Sequence, residues 1–158
     1  MISENSLNAI VLYASKSGNS AKIAEAISSE LYCKTVKIDE KSLSSPINLD
    51  NIELVVIGTG IYAGAPNKDI ENYLKTTNLG DPKKFALFIS WGGAGKTLDA
   101  VITKLKAILE AKGHRVLKNT FNCYGGWKYA LLKRGHPNNE DLEAAISWAK
   151  NLASNLQE

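Results

Sequence analysis

Short apolar runs and longer amphipathic stretches alternate along this chain. Nearly continuous apolar runs at Ala9–Tyr13, Leu54–Ile57 and Phe85–Ile89 predict strands that are covered on both faces of a sheet. The alternating run Thr35–Ile38 predicts a weaker strand near an edge, and Val116–Phe121 predicts one more strand. The pattern therefore indicates five strands in all.

Between and after these runs, apolar residues recur at the three- and four-residue spacing of amphipathic helices. They are Ile23, Ile27 and Leu31 in the first helix, Leu98, Val101, Leu105, Ile108 and Leu109 in the third, and Leu142, Ala145, Ile146, Ala149, Leu152, Ala153 and Leu156 in the last. We expect Pro66 to open the second helix, because proline is favoured in the first helical turn.

Strands that alternate with helices are typical of a doubly wound α/β fold. We expect a five-stranded parallel sheet of order 2-1-3-4-5, with right-handed crossovers and helices on both faces, in a single domain over residues 1–158. In that order the winding reverses between the first and third strands, and ligands bind there at the carboxyl ends of the strands.

Three loops leave strands near this reversal point. They span residues 14–20, 58–65 and 90–97, and all three are rich in glycine, serine and threonine. Because the carboxyl ends of parallel strands meet at one edge of a sheet, we expect a single binding site built from all three loops.

The first loop combines hydroxyl and amide side chains with a glycine directly before a helix. Its residues are Ser15, Lys16, Ser17, Gly18, Asn19 and Ser20. The first N–H groups of a helix have no partner within the helix and carry the positive end of its dipole, so such a loop can hold a phosphate. Gly18 would let the backbone approach the ligand closely. The alternative is a helix cap of serine and asparagine, which needs no ligand.

These residues resemble the phosphate loop of the flavodoxin family, Thr/Ser-x-Thr/Ser-Gly-Asn-Thr, with serine at the hydroxyl positions. Two further segments, residues 60–64 (Gly-Ile-Tyr-Ala-Gly) and 135–138 (Gly-His-Pro-Asn), resemble one branch of flavodoxin-domain proteins. The resemblance extends over essentially the whole chain. It implies a flavodoxin-like fold and non-covalent binding of flavin mononucleotide (FMN), with the FMN phosphate in the first loop.

The resemblance assigns the second loop to the flavin ring. The residues concerned are Thr59, Gly60, Ile61, Tyr62, Ala63 and Gly64. Tyr62 would pack against one ring face. Rotation of the peptide between Ala63 and Gly64 would let the Ala63 carbonyl accept a hydrogen bond from the flavin N5–H after reduction. The alternative is a glycine-rich turn with a surface tyrosine.

The third loop would cover the other side of the ring. Its candidate residues are Ser90, Trp91, Gly92 and Gly93, and Tyr124 follows from the next strand. The resemblance places Trp91 over the outer ring face and backbone amides at the pyrimidine edge, and Tyr124 could shield the dimethylbenzene edge. Alternatively, Trp91 is a partly buried core residue and Tyr124 packs over the end of the sheet.

Residues 91–97 also resemble a deviant nucleotide-binding P-loop, but Trp91 replaces the signature lysine of that motif, so we expect no ATPase activity.

Composition and charge exclude several classes of protein. A net charge of +3 on 158 residues is too small to imply nucleic-acid binding. We find no signal peptide and no apolar stretch near the roughly 20 residues that span a bilayer, so we expect a cytoplasmic monomer with reduced Cys33 and Cys123. Eight basic residues against one acid lie between Lys104 and Arg134. That run is either a solvated helix face or a docking patch for an acidic partner.

The titratable residues show no catalytic constellation at convincing spacing. We expect Cys123 as a buried thiol, His114 on the surface and His136 at a helix entry. The cofactor would therefore carry the chemistry. We expect an electron carrier that shuttles single electrons between redox partner proteins. The alternatives are an FMN-dependent oxidoreductase of the quinone or protoporphyrinogen type and a binding module without flavin.

Overall fold

A computed structural model describes residues 7–91, 95–124 and 135–156 of the chain. The strands are β1 (Ala9–Tyr13), β2 (Lys34–Lys37), β3 (Leu54–Tyr62), β4 (Ala65–Pro66), β5 (Lys84–Trp91), β6 (Arg115–Val116) and β7 (Phe121–Tyr124). The helices are α1 (Asn19–Leu31), α2 (Lys68–Thr76), α3 (Gly95–Ala111) and α4 (Asn139–Leu156), and a short 3-10 helix covers Glu40–Leu43.

The sheet has the predicted order. Its strands follow β2-β1-β3-β5, with β6 and β7 both paired to the outer side of β5. These pairings are parallel, and the exception is β4, which folds back antiparallel on the end of β3. The doubly wound α/β class is thus confirmed.

Two apolar cores lie on opposite faces of the sheet. Alternate residues of the central strands point to each face, as the period of two requires. One core, under α2 and α3, contains Ile10, Leu12, Val55, Ile57, Phe85, Leu87 and Ile89. The other, under α1 and α4, contains Val11, Leu54, Val56, Ala86 and Phe88. The helices therefore cover both faces and leave the carboxyl ends of the strands for a site.

The third strand is longer than predicted. Its apolar run ends at Ile57, but Gly58–Gly60 continue the parallel ladder opposite Phe88–Ser90. A Cβ atom on Gly58 would lie 1.8 Å from Cζ of Phe88, so the glycine makes room for that ring. The predicted second loop is therefore mostly strand, closed by a hairpin turn.

The predicted fifth strand is split into β6 and β7. Lys118 and Asn119 are exposed, and the Asn119 carbonyl accepts a hydrogen bond at 3.1 Å from Nε1 of Trp148 on α4. This polar stretch interrupts the ladder, which resumes at Phe121 where apolar residues return.

Two local predictions are wrong. Pro66 does not open α2 but pairs with Ile61 in β4, and the cap of α2 is Asn67, whose side chain accepts a hydrogen bond from Asp69 N at 2.8 Å. Asparagine is among the best N-cap residues, which explains the later start. His114 is not on the surface: it is 5% exposed, packs 4.9 Å from the Phe85 ring, and its Nδ1 accepts a hydrogen bond from Lys83 N.

Candidate functional site

The carboxyl ends of β1, β3, β5 and β7 gather the predicted loops at one edge of the sheet. The residues described there include every candidate except Gly92 and Gly93, which lie outside the described part of the chain. Contacts between the loops show which candidates the fold brings together.

The first loop turns sharply into α1 at Gly18. Its φ of 88° is a left-handed conformation that favours glycine, and Gly18 is the N-cap residue of α1. Gly18 N donates to Ser15 Oγ at 2.8 Å, which closes the loop on itself. The cap of α1 is therefore a glycine without a capping side chain, in contrast to the alternative of a serine or asparagine cap.

The polar residues of this loop differ in exposure. Lys16 and Ser17 are exposed, whereas Ser20 is 1% exposed and its Oγ lies 3.1 Å from Oγ of the buried Ser90. This hydrogen bond joins the first loop to the strand that leads into the third. Ser15, Gly18 and Asn19 are half-buried between these extremes.

Tyr62 joins the second loop to the first. Lys16 N donates to the Tyr62 hydroxyl at 3.3 Å, and Lys16 Nζ lies 4.9 Å from the centre of the Tyr62 ring. An exposed cation–π contact of this kind is worth about 0.5–1 kcal/mol. Tyr62 is half-buried, so it is not merely a surface tyrosine on a glycine-rich turn.

A two-residue hairpin turn carries the exposed tip of the second loop. Tyr62 pairs with Ala65, and the residues between them, Ala63 and Gly64, have φ values of 51° and 78°. Two successive positive φ values are what a type I′ turn requires, and alanine adopts them only with strain. Ile61, just before the turn, is half-buried against the core under α3.

Thr59 and Gly60 lie behind this turn and are buried. The Thr59 hydroxyl donates to the Gly60 carbonyl at 2.8 Å and accepts from Asn67 N at 2.9 Å. A Cβ atom on Gly60 would come within 3.0 Å of the Tyr62 hydroxyl. Both residues therefore position the hairpin and Tyr62 from the inside.

Trp91 and Tyr124 form an aromatic pair on the other side of the site. They are register partners at the ends of β5 and β7, and their ring centres lie 5.6 Å apart at 36°. Tyr124 is 42% exposed, and Trp91 is half-buried.

The sequence did not predict the next contact of this pair. The His136 ring lies 5.7 Å from the Tyr124 ring, nearly edge-on at 73°, and His136 Nδ1 is 2.6 Å from Asp141 Oδ2. A signal was present in the spacing of Asn138 and Asp141, which is that of a reciprocal helix cap. The site therefore extends to the start of α4.

Comparison with known proteins places the chain. A model of the flavodoxin domain family matches residues 10–136. The chain belongs to the flavodoxin-domain family. It is 30% identical over 156 residues to an uncharacterized protein of Methanocaldococcus jannaschii, covering 94% of this chain and 100% of that protein. The predicted membership of the flavodoxin family is thereby confirmed.

Solved structures share the fold of this flavodoxin-domain chain. Oxidised flavodoxin 2 from Bacillus cereus has a TM-score of 0.72 at 18% identity, with 94% of this chain and 99% of that chain covered. A flavoprotein from Lactobacillus acidophilus, solved in complex with FMN, has a TM-score of 0.56 at 19% identity and covers 75% of this chain and 93% of its own. At these identities the likeness shows the fold alone.

Both cysteines of this flavodoxin-domain chain are free thiols with raised pKa values. Cys123 is buried, as predicted, and burial followed by the charge of Asp141 raises the pKa of its thiol to about 12. Burial likewise raises the pKa of Cys33 to about 11. Both thiols therefore favour the protonated form at neutral pH.

Two described lysines of the basic run, Lys104 and Lys112, are engaged with α2 and the residue after it. Lys104 Nζ and Lys75 Nζ each lie 2.8 Å from Glu71 Oε1 and, against the opposing effect of burial, hold the pKa of Glu71 below its ordinary value. Lys112 Nζ donates to the Thr77 carbonyl at 2.7 Å. Lys16, which lies outside that run, contacts the candidate site residue Tyr62.

At the amino ends of the strands, opposite the candidate site, lies an open groove of about 1410 Å³. Its lining mixes both charges, from Asp50, Glu53 and Asp81 to Lys83, Lys84 and Arg115. Among the described residues, no group of three or more histidine, cysteine or acidic side chains could hold a metal. Nor does any described helix have both the length and the apolar character needed to cross a bilayer.

Proposed function

We propose that this flavodoxin-domain protein binds FMN non-covalently and carries single electrons between redox partner proteins in the cytoplasm. The observation that carries this proposal is the meeting of three loops at the carboxyl ends of the strands. There, the Lys16–Tyr62 and Ser20–Ser90 contacts tie the loop before α1 to the two loops that supply aromatic rings.

The first loop fits a phosphate. A left-handed Gly18 directly before a 13-residue helix directs the first N–H groups of α1 toward one point, with the positive end of the helix dipole behind them. The exposed Ser17 and the half-buried Ser15 and Asn19 add hydroxyl and amide groups. Ser20 would act from behind, through its hydrogen bond to Ser90.

The aromatic residues fit a flat ring. Tyr62 on one side and the Trp91–Tyr124 pair on the other offer ring faces that exclude water and orient the flavin. Bound FMN would supply the one-electron chemistry that amino-acid side chains lack. Because Tyr124 is 42% exposed, we infer that the rim beside it stays accessible to a partner protein.

An electron carrier suits the described side chains better than a substrate-turning enzyme. Among the described residues, His136 and Asp141 form a close acid–base pair, but Asp141 caps the entry to α4 and His136 packs on Tyr124. The other described groups of the site are hydroxyls, glycines, the Asn19 amide, aromatic rings and the Lys16 ammonium, and Lys16 is engaged with the Tyr62 ring.

Reconstitution with FMN tests the proposal. Purified protein mixed with FMN should take up one equivalent, melt at a higher temperature and, in a stepwise reductive titration, accept electrons in two separate one-electron steps. Protein that remains colourless, with an unchanged melting temperature in excess FMN, would refute the proposal. Rapid oxidation of NAD(P)H with a quinone acceptor by the loaded protein would instead favour the oxidoreductase alternative.

A further inference from the structure

We propose that His136 is a positioning residue that holds the Tyr124 ring at the rim of the flavin site, and that Asp141 fixes the His136 ring for this purpose. The inference rests on the proposed function, because it assigns a role in shaping the FMN site to two residues that lie outside its three loops.

The link between His136 and Asp141 is short and directional. His136 Nδ1 lies 2.6 Å from Asp141 Oδ2, and both side chains are mostly buried, with 28% and 20% exposed. A carboxylate oxygen accepts hydrogen bonds, so Nδ1 carries the proton and donates it. Hydrogen bonds to a carboxylate are among the stronger ones in proteins, so this bond sets the orientation of the imidazole.

Asp141 is itself held in place by the start of α4. Its Oδ2 also accepts a hydrogen bond from Asn138 N at 2.8 Å, and its own N–H donates to Asn138 Oδ1 at 2.9 Å. This reciprocal pair is a capping arrangement, which fixes both residues relative to the helix. The oxygen that orients His136 is therefore held by the cap of α4.

His136, held in this orientation, packs against the Tyr124 ring. The two rings meet nearly edge-on, with centres 5.7 Å apart at 73°, and the Tyr124 ring packs on Trp91 with centres 5.6 Å apart. Tyr124 is the last residue of β7 and is 42% exposed, so its ring needs support from neighbouring side chains. Trp91 and His136 both contact the Tyr124 ring. Through His136, the cap of α4 therefore positions an aromatic wall of the site.

Two substitutions test separately the His136 ring and the Asp141 carboxylate that orients it. His136→Asn keeps an N–H donor near the position of Nδ1 but removes the ring, and Asp141→Ala keeps the ring but removes its acceptor. We expect each to weaken FMN binding by about three- to tenfold, because an aromatic contact is worth about that much. Each should also shift the Tyr124 ring proton resonances of the protein without FMN.

A matched control accounts for the loss of a capping carboxylate. Asp39 caps the 3-10 helix in a similar reciprocal box with Ser42, without a histidine partner. Asp39→Ala should lower the melting temperature, as we also expect of Asp141→Ala, but leave FMN affinity unchanged. Equal losses of affinity in both variants would show that cap loss alone is responsible, which would overturn the proposal.

A double-mutant cycle tests whether His136 acts through Tyr124. In a Tyr124→Leu background, His136→Asn should weaken FMN binding no further. If it has its full effect there, or none in the wild-type background, the inference is wrong. A wild-type protein that binds no FMN would refute the proposed function instead, and the Tyr124 resonances of the FMN-free protein would still report on the His136 contact.

Discussion

The two sides of the candidate flavin site are held in different ways. The phosphate side is built from backbone: Gly18 in a left-handed conformation, the N-terminus of α1, and a loop closed by the Gly18–Ser15 hydrogen bond. The rim is built from side chains: Trp91 and Tyr124 come from two strands, and His136, just before α4, packs against Tyr124. The first should recognise charge and the second should recognise a flat apolar ring, so changes to the two sides should be separable by experiment.

The largest expected effect is the discrimination of FMN from riboflavin, which lacks the phosphate. Hydrogen bonds to a charged group contribute about 1.5–3 kcal/mol each, so we expect riboflavin to bind at least roughly a hundredfold more weakly. Titration calorimetry on wild-type protein measures the ratio. Tyr124→Leu should weaken both ligands by the same factor, and affinities that are equal for FMN and riboflavin would mean that the first loop holds no phosphate.

The next largest effect is expected for Gly18→Ala. Forcing alanine into a φ of 88° costs about 1 kcal/mol, and this strain should distort the loop and weaken FMN about tenfold while changing riboflavin little. Gly113 provides a matched control, because it has the same φ and nothing within 4 Å of an added Cβ. Gly113→Ala should lose similar stability in urea unfolding and retain FMN affinity. A loss of affinity shared by both variants would argue against a specific role for the loop.

These two regions also differ in how far the sequence reveals them. The phosphate side is one contiguous string, Ser15 to Ser20, next to a strand whose bounds at Ala9–Tyr13 were predicted correctly. The rim joins Trp91, Tyr124 and His136 across segments that only the fold brings together, and the role of Asp141 as a partner of His136 was not predicted. The periodicity of apolar residues indicates which positions are buried within an element, but it does not indicate contacts between side chains that are distant in sequence.

Errors within the elements have a similar cause. The segment Val116–Phe121 is predicted as one strand from its apolar residues, but it contains a polar stretch. There the Asn119 carbonyl accepts a hydrogen bond from Trp148 of α4, and the strand ladder is interrupted. The sequence predicts a helix start at Pro66, although Asn67 directly after it is the stronger N-cap. A contact distant in sequence thus splits the predicted strand, and a competing local signal shifts the start of α2.

A smaller effect should follow from the charge of Lys16. Its ammonium lies over the Tyr62 ring, so it should favour the negatively charged, fully reduced flavin. Lys16→Gln should make the second reduction potential more negative by about 20–40 mV at low salt, and less at high salt. Lys34→Gln, an exposed change at the start of β2, serves as the control. Identical potentials in the two variants would show that Lys16 does not act on the flavin.

The smallest effect on the site is expected from His114, which titrates far from it. Burial, and then the charges of Lys83 and Lys112, lower the pKa of His114 below its ordinary 6.5, so the unfolded chain binds the proton more readily than the folded one. Stability should therefore fall as the pH drops below about 6.5 toward the lower folded pKa. Urea unfolding from pH 8 to 5.5 should show a shallower decline in His114→Gln than in wild type, and parallel declines would contradict this assignment. FMN affinity of the variant at pH 7.5 should equal that of wild type.

The most direct test of the account is an amide chemical-shift map recorded during titration with FMN. We predict large shifts at Ser15–Ser20, Tyr62–Gly64 and Tyr124, and none at Glu53, Lys84 and Arg115, which line the groove at the opposite edge of the sheet. Shifts concentrated at that groove, or a spectrum unchanged by excess FMN, would contradict the claim that the loops at the carboxyl ends of the strands bind a phosphorylated flavin.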